Sequence, residues 1–213
     1  AHFSANGYHT LGTGKIMHNR DRQEWNEYGH PSDYGPFLFD GKNKIPHLGV
    51  PSPFRDDFGI IDGTFGPLEK VSHKKSPDTG KPYSWLTGGW KKQRELKYES
   101  ENDRDPTGDE LNAQWAVKRL KELASKKSDK PFFMGVGFVR PHTPLIVPQE
   151  YFDRFPLKSI ELPVIKENDD EDTFKKTVTS TEDDRSGDRG TKMYDSLVAA
   201  YKGDRELALK KFI

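Results

Sequence analysis

Residues 131–144 read Pro131-Phe132-Phe133-Met134-Gly135-Val136-Gly137-Phe138-Val139-Arg140-Pro141-His142-Thr143-Pro144. Through Val139 this is a continuous apolar run of strand length, which suits a central strand covered on both faces of a sheet. Upstream, Asp105-Pro106-Thr107-Gly108-Asp109-Glu110 is a helix-start signal, and Leu111, Trp115, Val117, Leu120 and Leu123 then recur at helical spacing. Trp115 reads as a core residue of that helix. A helix followed by a buried strand is an α/β signature.

Working outward, His2 to Tyr8 is a short amphipathic piece closed by Asn6-Gly7, and Tyr8-His9-Thr10-Leu11-Gly12-Thr13-Gly14-Lys15-Ile16-Met17 has strand content broken by glycines. A helix with no N-cap before Phe3, and a last helix running to Ile213 without a stop signal, predict that sequence continues on both sides. Residues 20–106 show little sustained periodicity and read as an irregular insertion. Pro148 to Phe155 suits a short helix stopped by Pro156. Residues 166–190 are crowded with charged and hydroxyl side chains and read as a polar loop or disorder. Residues 191–213 are helical in pattern.

Composition sets limits. The hydrophobic share of the 213 residues is 32%, and exchanging tyrosine for glycine in that set raises it only to roughly 37%, against about 45–50% in typical domains. Lys and Arg number 34, as do Asp and Glu, so no general field draws in nucleic acid or an anionic membrane. Any anion site must be local. Cysteine is absent, which excludes disulfides, thiolate metal sites and a cysteine nucleophile within these residues. No apolar run approaches the roughly 18 residues of a membrane span.

Two stretches put cationic or titratable groups where a strand gives way to a loop, the usual place for sites in open α/β sheets. They are Gly14-Lys15-Ile16-Met17-His18 and Arg140-Pro141-His142-Thr143-Pro144. On a straight strand Lys15 and His18 face opposite ways, so both meet one ligand only if the strand ends near Ile16. The prolines flanking His142 remove backbone donors and favour a rigid segment that displays the imidazole. Taken singly, each stretch also reads as a solvated strand end or a plain turn. Trp25, Trp85 and Trp90 could stack on a sugar ring, although packing under a long loop is the simpler role.

In combination and order, these stretches, with Lys130-Pro131-Phe132-Phe133 and Pro148-Gln149-Glu150-Tyr151-Phe152, resemble the central part of a sulfatase of the alkaline-phosphatase-like superfamily, and most closely the iduronate-2-sulfatase type. The resemblance implies an α/β fold with a mixed, mainly parallel sheet flanked by helices, of which residues 1–213 would be an incomplete central portion. It implies that Lys15 contacts a sulfate oxygen, that His18 hydrogen-bonds the hydrated formylglycine nucleophile and takes its proton as sulfate leaves, and that His142 binds sulfate beside the departing oxygen. Calcium and formylglycine are implied by the family, but their ligands and precursor residue are not in this chain. The nearest look-alike of the precursor motif, Pro51-Ser52-Pro53-Phe54-Arg55, has proline at the nucleophile position and reads as a turn. Asp56-Asp57, Asp169-Asp170 and Asp183-Asp184 read as loop charges, and no metal ligand is assigned. The expected partner is a sulfated carbohydrate such as a glycosaminoglycan, with no nucleic acid and no membrane. Family habit puts such enzymes in periplasmic, lysosomal or extracellular space. Two other functions remain open: phosphoester or phosphonate hydrolysis in the same superfamily, and a non-catalytic carbohydrate-binding module.

Overall fold

The computed structural model describes residues 2–17, 25–89, 93–125, 130–164 and 186–213. Helix α1 (His2–Ala5) ends in a turn through Gly7, whose φ of 83° suits glycine, and feeds strand β1 (His9–Gly14). Strand β2 (Glu27–Pro31) follows, and much later helix α3 (Gly108–Ser125) leads to strand β10 (Phe132–Gly137). These three strands form one parallel sheet in the order β10, β1, β2, with α3 packed on it. Helices beside parallel strands give the α/β class expected from the helix-then-strand pattern.

Glycines in β1 and β10 are required by what packs on them. A Cβ on Gly12 would lie 2.7 Å from the Trp25 ring, and one on Gly135 2.9 Å from it. Trp25 therefore lies against the sheet, with its ring stacked near Phe133 at 5.9 Å. On the opposite face the Thr13 hydroxyl donates to the Asn112 side chain at 2.6 Å, and Asn112 donates to the Gly108 carbonyl at 2.8 Å. Asn112 is fully buried, and this closed network is what allows a polar group there.

Helix α3 starts where its sequence signal places it. Thr107 and Glu110 form a capping box: the Thr107 N–H donates to the Glu110 carboxylate at 2.7 Å, and the Glu110 N–H donates to the Thr107 hydroxyl at 3.4 Å. Its buried face differs from the expected apolar stripe. Gly108, Asn112 and Ala116 are buried, whereas Val117 and Leu120 are exposed, and Trp115 is only half-buried, over Gly29. Small residues lie inward because the helix sits close on the glycine-rich strands. Strand β10 also departs from expectation. It pairs only with β1 among the described residues, and Phe132, Val136 and Phe138 are exposed. Among the described residues it is therefore an edge strand, not one that they cover fully on both faces.

The expected irregular region contains a small antiparallel sheet. Strands β3 (Phe37–Phe39), β4 (Lys44–Ile45), β6 (Ser84–Thr87) and β7 (Arg94–Leu96) assemble in the order β4, β3, β6, β7. Strands β8 (Tyr98–Ser100) and β9 (Asp103–Arg104) make a short ladder of their own. Such strands are too short to show a period in sequence. Their core is Leu38, Leu68, Val71, Tyr83, Trp85, Leu96 and Ile146. Trp85 belongs to it outright, 2% exposed, with its indole N–H donating to the Glu69 carbonyl at 2.8 Å. Trp90 lies outside the described residues.

Helix α2 (Phe54–Asp62) grows from the Pro51-Ser52-Pro53 turn, with Phe54 fully buried. Asp56 and Asp57 are in its first turn, not in a loop, and Asp57 accepts from the Ser196 hydroxyl at 2.6 Å. Strand β5 (Phe65–Leu68) then pairs in parallel with β11 (Leu145–Pro148). Helix α4 (Gln149–Asp153) follows Pro148 as expected. Helix α5 (Ser186–Ala200) starts before residue 190, inside the stretch read as a polar loop, and α6 (Arg205–Phe212) ends the chain. The face of α5 bearing Met193, Leu197 and Val198 packs against the α2 cluster. Once that face is anchored, backbone bonding extends the helix without further apolar residues. Asp169-Asp170 and Asp183-Asp184 lie outside the described residues.

His47 links the two regions. Its Nε2 donates to the Pro67 carbonyl at 3.1 Å, its Nδ1 accepts from the Gly49 N–H at 3.0 Å, and it is 4% exposed. Both nitrogens are satisfied only in the neutral ring, and burial lowers its pKa from the ordinary 6.5. The unfolded chain thus binds the proton first, so stability is full above pH 6.5 and declines as pH falls below it. Urea titrations of wild type and His47→Gln should show a gap in midpoint at pH 7.5 that narrows by pH 5. A gap independent of pH would refute the assignment.

Candidate active site

Parallel pairing fixes where the two cation-bearing stretches end. Gly14 lies opposite Gly137, so β1 and β10 stop at the same carboxyl edge of the sheet. The junction is tight. Lys15 N–H donates to the Gly137 carbonyl at 2.9 Å, Gly14 has a φ of 77°, and a Cβ on Gly14 would lie 1.9 Å from the Gly137 oxygen. The Tyr28 hydroxyl donates to the Gly14 carbonyl at 2.7 Å. The Lys15 N–H makes the last bond to β10, and the chain bends away from there. His18 lies outside the described residues.

On the β10 side, Asp109 in the first turn of α3 accepts from the N–H groups of Val139 and Arg140, at 2.8 and 3.0 Å. A carboxylate at a helix N-terminus is held there by the helix dipole and caps the strand end in turn. The chain then turns tightly, with His142 N–H donating to the Val139 carbonyl at 2.8 Å. The Thr143 hydroxyl donates to Asp62 at 2.7 Å, tying the turn to α2. His142 is exposed, and its Nδ1 bonds the Thr143 carbonyl at 2.7 Å. A carbonyl only accepts, so Nδ1 carries the hydrogen and Nε2 is the nitrogen left for a ligand.

A third segment meets the other two. Between β2 and β3, Asp33 accepts from the N–H groups of Gly35, Gly88 and Gly89 and from the Thr87 hydroxyl, at 2.5 to 2.9 Å. Arg140 donates from Nη2 to the carbonyls of Tyr34 and Gly35, at 3.4 and 2.9 Å, and from Nε to the Ile146 carbonyl at 3.3 Å. Burial lowers the pKa of Arg140 from its ordinary value, partly offset by Asp109 and Asp33. Its guanidinium is thus a bracket inside the fold and not a surface charge.

What the bracket holds is Tyr34. The Lys15 ammonium lies over its ring, 5.7 Å from the centroid, and the His142 ring meets it edge to face at 5.0 Å. The structure therefore brings Lys15 and His142, 127 positions apart in sequence, to one half-buried aromatic side chain. Sequence reasoning did not single out Tyr34, Asp33, Asp109 or Arg140. Asp109 lies within the helix-start signal and Arg140 within the strand-end stretch, but neither is given a role by those patterns. Elsewhere, a cavity of about 310 Å³ is lined by Tyr83, Trp85, Leu96 and Tyr98, and neither Lys15 nor His142 borders it.

No family model matches the chain. Over 172 residues, 79% of its length, it is 32% identical to a protein described as Sulfatase from Formosa agariphila. The chain is similar to a sulfatase. It spans 26% of that relative's length. Parallel strands flanked by helices agree with the alkaline-phosphatase-like architecture that such similarity implies. Among the described residues no group of three or more His, Cys, Asp or Glu could hold a metal ion, and with no cysteine and no Ser-x-Pro-x-Arg stretch upstream of Lys15, these residues fit neither calcium nor a formylglycine precursor. Among the described residues no helix is long and apolar enough to cross a membrane.

Proposed function

We propose that this chain forms part of a sulfuric ester hydrolase acting on a sulfated carbohydrate, of the iduronate-2-sulfatase-like type. What supports this reading most is the approach of Lys15 and His142 to one aromatic ring at the carboxyl edge of a parallel sheet, in a chain similar to a sulfatase. A sulfate ester carries its negative charge on three non-bridging oxygens, and charge builds on the bridging oxygen as the ester bond breaks. The Lys15 ammonium binds a non-bridging oxygen as a fixed countercharge. His142 presents Nε2 to the bridging oxygen and, when protonated, gives its proton to the departing alkoxide. Its Nδ1 bond to Thr143 holds the ring in the orientation for that transfer. By the family resemblance, a formylglycine and a calcium ion belong to other parts of the protein, and the enzyme acts in an exported compartment.

The test is sulfate release by the natural full-length gene product from a chromogenic aryl sulfate and from a sulfated uronic acid, beside the matching phosphate esters. Lys15→Ala and His142→Ala should each lower kcat/KM by about a hundredfold, the usual loss when one preorganised charge or donor is removed. For His142→Ala the loss should be smaller on an aryl sulfate, whose phenolate leaves without a proton, than on the sugar. Variants as active as wild type would remove both residues from the site. Turnover of phosphate but not sulfate esters would assign the other branch of the superfamily.

A further inference from the structure

The ring that joins Lys15 to His142 has no place in either hydrophobic core. Tyr34 belongs to neither of the two apolar clusters formed among the described residues, and is half-buried. The turn that carries it is nevertheless held from two sides. Asp33 pins the turn from one side through Gly35, Thr87, Gly88 and Gly89, and Arg140 takes the carbonyls of Tyr34 and Gly35 from the other. Arg140 also precedes the turn that carries His142, so one guanidinium ties the position of Tyr34 to that of the imidazole.

An ammonium on four rotatable bonds samples many positions in water, and an exposed imidazole turns about two. Each would have to be ordered when an anion arrives, at a cost to affinity. An aromatic face attracts a nearby cation through its quadrupole and offers an imidazole an edge-to-face contact. Tyr34 provides both contacts at once, at 5.7 and 5.0 Å. We propose that Tyr34 is a positioning residue whose ring sets the Lys15 ammonium and the His142 imidazole at the separation a tetrahedral oxyanion requires. This rests on the reading that both groups bind the sulfate. Tyr34 acts through them, and its ring, not its hydroxyl, carries the effect.

The ring and the hydroxyl are separated by Tyr34→Phe and Tyr34→Leu in the natural full-length protein, read by the inhibition constant for inorganic sulfate and by KM against kcat on an aryl sulfate. Tyr34→Leu should raise the sulfate inhibition constant and KM about tenfold, the loss expected for one partly exposed cation–π contact together with one ring–ring contact. Its melting temperature should stay close to that of wild type. Tyr34→Phe should restore the inhibition constant and KM to within about threefold of wild type, since it keeps the quadrupole. Where the leucine variant does not fold, Tyr34→Met fills similar space without a ring and takes its place. An unchanged inhibition constant in the ringless variant overturns the proposal, as does a phenylalanine variant as impaired as leucine. Failure of wild type to release sulfate or bind it would overturn the functional reading instead, and this inference with it. A wild type that is active and inhibited by sulfate, beside an unaffected ringless variant, removes only the role of Tyr34.

Discussion

Gly14→Ala should abolish stable folding of the parallel sheet, and Gly137→Ala should do nearly the same. At Gly14 two penalties coincide. The residue has a φ of 77°, and the added carbon would lie 1.9 Å from the Gly137 carbonyl oxygen and 2.8 Å from the Asn112 side chain. Left-handed backbone alone costs an alanine about 1–2 kcal/mol. The clash is worse, because its partner is a carbonyl in the β1–β10 ladder and cannot rotate away. At Gly137 a Cβ would meet the Lys15 carbonyl at 2.1 Å. Separating the strands would break the Lys15 to Gly137 bond and pull Asn112 from Thr13. Together these should cost about 4 kcal/mol or more, a large part of the roughly 5–15 kcal/mol that holds an ordinary domain together. Thermal unfolding followed by circular dichroism reads this directly. A melting point within a few degrees of wild type for either variant would mean that the two strand ends are not packed as described.

The second large effect is expected at Arg140. Arg140→Met keeps most of the side-chain volume but removes the donors to Tyr34, Gly35 and Ile146. Those carbonyls then lack a charged partner in a place that water reaches poorly. The loss should be about 2–4 kcal/mol in urea unfolding, since bonds to a charged donor are worth about 1.5–3 kcal/mol and stranded acceptors add to that. Arg140→Lys should recover less than half, because an ammonium cannot span carbonyls on two separate segments as a planar guanidinium does. Activity should fall with stability, since Tyr34 and the His142 turn lose their common support. Full stability in Arg140→Met would show that the bracket is dispensable.

Much of the scaffold was legible in the chain. The Thr107-Gly108-Asp109-Glu110 start of α3 is a capping box, with its signature in four consecutive residues. The turn at Gly7 and the short helix after Pro148 depend likewise on residues within a few positions of each other. The exposed face of β10, the small-residue face of α3 and the short strands of residues 37–96 were not legible. In each case the outcome was set by a partner far away in sequence: β10 by where the sheet ends, Trp85 by the core it closes, α5 by its seat on α2.

The candidate site divides in the same way. Lys15 and His142 could be marked in the sequence because each follows a strand signal and sits beside glycine or proline, which shape the backbone locally. Tyr34 and Asp33 carry no such mark, and Arg140, which does, gives no sign of its partner. Tyr34 lies in an aperiodic stretch, and Arg140 looks like any cation at a strand end until its guanidinium is found facing inward. Sequence by itself determined the α/β pattern, the helix boundaries set by caps and prolines, and two of the polar groups at the sheet edge. The tertiary structure alone decided that those two meet at one ring, because parallel pairing of β1 with β10 aligns residues 123 positions apart and no local rule of the chain encodes that register.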